Sequence, residues 1–138
     1  MASLTLADLP PGRTERIQAS ISLADLDAFA ALSGDFSPLH MDAEFAQGKG
    51  FAGRVAHGLL IASLVSRFVG TILPGENGLI RRIELDFRNP VIPPDELTIH
   101  GEVEKTSEST GQVTLQIRVV RSDGVLAVAG RVLSLLRP

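Results

Sequence analysis

The chain has 138 residues, 13 Lys and Arg against 16 Asp and Glu, and no cysteine. That length suits one domain with a sizeable core, while a formal charge of -3 with scattered basic residues excludes the concentrated basic face of a nucleic-acid surface. The absence of thiols excludes disulfides, thiolate metal sites and cysteine nucleophiles, and six Phe with neither Trp nor Tyr leave core packing to aliphatic side chains.

The N-terminal MASLTLADLPPGRTERI has no basic segment followed by an apolar stretch, so it does not read as a signal peptide, and the cytoplasm is the default location. Pro10 to Gly12 separate a loose leader, residues 1–12, from a single domain over residues 13–138. RTERIQASI alternates as a strand does. Ser22 and Asp25 then form a capping pair ahead of LADLDAFAALSG, a helix whose apolar face is Leu23, Leu26, Phe29, Ala30 and Leu32. Gly34 suits its C-terminal cap, because a residue without Cβ adopts positive φ without steric cost. Ser37 and Pro38 read as N-cap and first position of a short turn carrying His40, with another short helix around Ala43 to Gln47.

From Gly58, Leu60, Leu64, Phe68 and Ile72 recur every four residues, with Ile61, Val65 and Val69 beside them, which predicts a helix buried on nearly all sides. The run to Leu73 is too short to span a bilayer and is interrupted by Ser63, Ser66 and Arg67, so no membrane association is expected. Beyond Pro74 and Gly75 the period becomes two. LIRRIELDFRNPV, ELTIHGEVEKT, QVTLQIRVVRS and VLAVAGRVLSLL predict four strands, and the SESTGQ and SDGV joints suit antiparallel hairpins. The expected fold is α+β: one strand, helices, then a meander around a long apolar helix.

The stretch GDFSPLHMD, Gly34 to Asp42, carries the chemistry. Asp35 and His40 are five residues apart, a spacing that on an unbroken helix gives poorly matched faces, but the turn at Pro38, with Ser37 biased to extended geometry, lets the two side chains converge. A carboxylate and an imidazole together suit general acid–base work. Taken singly, each has a plain structural reading, as a turn cap and a packing residue.

GDFSPLHMD, the downstream VAHGLLIASLVSRFVG and the strand succession together resemble the MaoC-like (R)-specific enoyl-CoA hydratases, over roughly residues 21–136. The resemblance implies the hot-dog fold, an antiparallel sheet wrapped around a central helix, and addition of water across a trans-2-enoyl thioester to give the (R)-3-hydroxyacyl thioester. It implies that Asp35 and His40 hold and activate one water, that the Gly58 amide at the helix N-terminus faces the thioester carbonyl, and that Ser66 faces the site from two turns further on. A serine within a helix also bonds readily to its own backbone. His57 reads as a structural histidine and His100 as a sheet-face residue. Lys49, Arg54, Arg81 and Arg82 are candidates for coenzyme A phosphates, with none singled out. Ser37 stands where asparagine is frequent in the family, and both side chains bond nearby backbone.

No phosphate loop or metal-like spacing of the three histidines occurs, so neither cofactor nor metal is expected. The expected partners are an acyl-CoA thioester and a second copy of the chain in a homodimer, which closes the sheet edges and acyl pocket that one subunit leaves open. A dehydratase acting on carrier-protein thioesters, a hot-dog thioesterase and a non-catalytic thioester-binding domain are the alternatives.

Overall fold

A computed structural model describes residues 1–137; Pro138, the last residue of the predicted domain, lies outside the described residues. Five strands form one antiparallel sheet: β1 (Thr14–Ile21), β2 (Gly78–Phe87), β3 (Asp95–Ser107), β4 (Gln112–Val120) and β5 (Leu126–Leu136), ordered β1-β3-β4-β5-β2. The turns after β3 and β4 close hairpins as their Gly and Asp-Gly residues predict. The meander is shorter than expected, however, because β2 pairs with β5 at one edge and the chain then crosses to β3, beside β1. Alternation along a strand says which face is buried and nothing about which neighbour is taken.

Four helices interrupt the strands: α1 (Leu23–Ser33), α2 (Pro38–Met41), α3 (Ala43–Gly48) and α4 (Gly58–Thr71). The α1 caps follow the sequence. Ser22 and Asp25 form a reciprocal capping box, and Gly34 ends the helix at φ 80°, its N–H donating to the Ala30 carbonyl. At α2, Pro38 takes the first turn as expected, but the Ser37 side chain caps nothing.

α4 buries Ile61, Val65, Phe68 and Val69 in a core shared with Leu97, Ile99, Val103, Leu115 and Ile117 of the sheet. Burial nearly all round is not what one chain provides: Leu59, Ser63, Ser66 and Arg67 are exposed, since a single curved sheet covers only one side of the helix. Gly101 lets the two layers approach, because a Cβ there would overlap the Phe68 ring.

The leader is not loose. Leu9 is fully buried in the core, Ser3 bridges to Gly75, the Ala2 N–H donates to the Thr71 carbonyl and the Gly12 N–H to Val103. Leu4 and Leu6 pack on the same core, so apolar contacts tie down a segment that the PPG punctuation alone marks as separate. Among the described residues no helix is long and apolar enough to cross a membrane.

Candidate active site

Asp35 leaves the α1 C-terminus directly after the left-handed Gly34. Its N–H donates to Ser33 Oγ (3.1 Å), and its Oδ1 accepts the Ser37 N–H (3.1 Å). This local ring fixes the carboxylate and turns Oδ2 toward His40, whose Nε2 lies 3.8 Å away. The Ser37 hydroxyl stays idle, and the His40 N–H, the donor at the third helical position, bonds to the Ser37 carbonyl at 2.9 Å.

His40 is fixed from its other nitrogen. Nδ1 lies 2.7 Å from the Val55 carbonyl oxygen, which only accepts, so Nδ1 carries the proton and Nε2 of the neutral ring presents a bare lone pair. The 3.8 Å gap is too long for a direct hydrogen bond and suits a shared water. Asp35 is about half exposed and His40 mostly buried, so the carboxylate sits at the mouth and the imidazole in the wall.

Below them is His57, the N-cap of α4, only 2% exposed. Its ring stacks on His40 at 4.0 Å, meets the Phe29 ring edge-on at 4.8 Å, and its Nε2–H donates to the Asp35 backbone carbonyl at 3.0 Å. Its Nδ1 is buried without a partner among the described residues. His57 thus joins the α1 end, the Pro38 turn and the α4 start, consistent with its structural reading. The sequence gives it no such span. Its adjacency to Gly58 was the available signal, but the partners lie 22 residues upstream.

Gly58 is the first residue of α4, so its N–H has no acceptor within the helix and lies at the positive end of the helix dipole. A Cβ at this position would come within 3.2 Å of the Phe87 ring. The absent side chain leaves one wall of an apolar cleft of about 260 Å³, lined among others by Val55, Ile61, Phe87, Val91 and Val128. Asp35, His40 and the α4 N-terminus are therefore brought together, but Ser66 is not joined to them. It lies exposed two turns along α4, and among the described residues no hydrogen bond links it to Asp35. Ser63 bonds back to the Leu60 carbonyl at 2.6 Å.

The basic candidates also separate. Arg54 supports the site itself, its Nε donating to the His40 carbonyl at 2.6 Å and a terminal nitrogen pairing with Asp27 at 2.6 Å, which leaves it committed rather than free for a phosphate. Arg82 pairs with Glu84, and Lys49 lies over the Phe45 ring at 5.3 Å. Arg81 is exposed on β2, and His100 lies on β3 as expected.

Donor atoms of Asp35, His40 and His57 all fall within 4.8 Å of one another, a grouping hidden by their separation in sequence. The two rings are stacked with planes only 25° apart, so their in-plane lone pairs run alongside each other rather than meeting at one point, and the arrangement suits proton handling better than metal ligation.

A five-stranded antiparallel sheet wrapped on α4, with this turn at the helix mouth, is a hot-dog fold. The MaoC like domain family model matches residues 9–125, and the chain belongs to that family. It is 38% identical to the (R)-specific enoyl-CoA hydratase of Aeromonas caviae, over 92% of this chain and 95% of that one. It is 39% identical to the 3-hydroxybutyryl-CoA dehydratase of Methylorubrum extorquens over 72% of this chain and 64% of that protein. The unliganded R-hydratase PhaJ1 of Pseudomonas aeruginosa superposes with a TM-score of 0.89 at 33% identity, covering 96% of this chain and 84% of that one.

Proposed function

We propose that this protein catalyses the (R)-specific addition of water to trans-2-enoyl-CoA, giving (R)-3-hydroxyacyl-CoA, with Asp35 and His40 activating one water. The observation that carries the reading is the pairing of Asp35 Oδ2 with the bare His40 Nε2 across 3.8 Å. A water in that gap donates one hydrogen to each acceptor and turns an oxygen lone pair toward the substrate. As its oxygen bonds to C3, the pair takes one proton and C2 receives one, so both groups return to their starting state.

Charge that develops on the thioester oxygen meets the Gly58 N–H and the α4 dipole, donors already in place before reaction. The acyl chain enters the apolar cleft beside Gly58, and the proposed substrates carry short to medium chains. Ser66 contributes one ordinary hydrogen bond to bound substrate or water. The name of the Methylorubrum relative describes the same equilibrium from the hydroxyacyl side.

The acting unit in this proposal is a homodimer joined along β2. That strand is a sheet edge, and Ile83 and Phe87 on its α4-facing side are 42% and 51% exposed, beside a 70% exposed Leu59. An edge with unpaired backbone and apolar side chains is completed by a second copy.

Purified protein mixed with crotonyl-CoA tests the reaction. The expected result is loss of enoyl absorbance with accumulation of (R)-3-hydroxybutyryl-CoA. Release of free coenzyme A would indicate a thioesterase, faster turnover of the carrier-protein thioester a dehydratase, and unchanged absorbance a binding domain.

A further inference from the structure

The face of the sheet turned away from α4 carries a row of basic groups outside this chemistry. Arg16 of β1 lies directly opposite His100 of β3, which lies directly opposite Arg118 of β4. Their strand neighbours Ile99 and Ile117 are buried in the core, so alternation sends these three side chains to the outer face. Side chains directly opposed on neighbouring strands have Cβ atoms about 5 Å apart, so Arg16 and Arg118 flank His100 from either side.

Six arginines, Arg13, Arg54, Arg82, Arg88, Arg121 and Arg131, each hold a carboxylate, whereas the exposed Arg67 and Arg81 hold none among the described residues. Nor, among the described residues, do Arg16 and Arg118. They line, with His100, Thr14, Glu102 and Gln116, a cleft of about 570 Å³. The charged groups around His100 are Arg16 and Glu15 from β1, Arg118 from β4 and Glu102 along β3; Glu15 is held by Arg13 at 3.1 Å. One remaining carboxylate therefore faces two unpaired guanidiniums. Burial, then Arg118 and Arg16, hold the His100 imidazole below its ordinary pKa.

We propose that this row is a binding site for a phosphate-class dianion, seated between the Arg16 and Arg118 guanidiniums with His100 as a third donor. Planar guanidinium forks match phosphoryl oxygens two at a time, and a dianion between them would take up the positive charge of both. The site is separate from the proposed thioester site, because Phe68 of α4 packs against the opposite face of the sheet at Gly101. The anion is either free or the phosphoryl end of a nucleotide-like cofactor.

Titrating the histidine Cε1 protons by NMR with and without pyrophosphate, and separately with free coenzyme A, tests this, the His100 signal being assigned by its loss in His100→Gln. Either ligand is expected to raise the apparent pKa of His100 in the wild type and to leave it unmoved in Arg16→Gln and Arg118→Gln. A response to pyrophosphate alone identifies a free anion, and a response to coenzyme A a cofactor phosphoryl group. The anion that responds should also raise the wild-type Tm but not that of Arg118→Gln. No His100 response to either ligand at millimolar concentration, or the same response in the arginine variants, would overturn the proposal.

Discussion

Neutral His40 has one lone pair to offer, and the Val55 carbonyl decides that it is on Nε2, facing Asp35. Asp35→Asn keeps the acceptor that the Ser37 N–H requires but loses the charge, and His40→Gln removes the imidazole, so each is expected to lower turnover by about 10²- to 10⁴-fold. Circular dichroism should show both still folded. Because they serve one water, the double variant should be little slower than the worse single one. Near-normal turnover of Asp35→Asn would make GDFSPLHMD only a turn. Ser66→Ala should cost on the order of 1 kcal/mol in kcat/KM, the worth of one hydrogen bond, and a loss as deep as that of Asp35 would move the centre of the site to α4. The pair itself was legible because five residues and a proline hold it together locally. What orients it was not: the Val55 carbonyl is backbone that any residue supplies, and the His57 stack joins segments that only the fold makes adjacent.

Elements were legible where their signals are local. The Ser22 and Asp25 capping box and the Gly34 cap form as their residue types predict. Strand order was not legible, because the pairing of β2 with β5 depends on the chain's path rather than on its alternation. The leader was misread for a related reason: Leu9 is one apolar residue before two prolines, and only its neighbours reveal it as core. Two glycines test this level. Gly34→Ala forces a Cβ into left-handed backbone and should destabilise by about 1–2 kcal/mol. At Gly101 the backbone is ordinary and the space is not, since an added methyl meets the Phe68 ring between helix and sheet. Gly101→Ala should therefore cost about 1–3 kcal/mol through overpacking, read as a lower urea midpoint at unchanged slope. A neutral Gly101→Ala would mean that the helix can shift freely on the sheet.

For the whole molecule, the question is what covers β2 and the open side of α4. Ile83 and Phe87 lie opposite Val132 and Val128 of β5, both buried, so their side chains are on the core face of the sheet, yet at its edge they stay about half exposed. Pairing two β2 edges would satisfy the unpaired backbone and let these side chains and Leu59 meet their counterparts, which is why the proposed homodimer uses this edge rather than β1. Light scattering at micromolar concentration should accordingly give twice 14.7 kDa. Ile83→Lys would set cations near one another across the two-fold axis in an apolar seam, and is expected to shift the protein to a monomer at the same concentration. Turnover should fall with it, because Phe87 both belongs to the seam and forms a wall of the cleft at Gly58. Adding protein to reform dimers should then restore activity per chain, giving a concentration dependence that damage within one subunit would not produce. A monomeric Ile83→Lys protein with wild-type turnover at every concentration would show that one chain completes the site alone, and that the apolar edge of β2 serves some other contact.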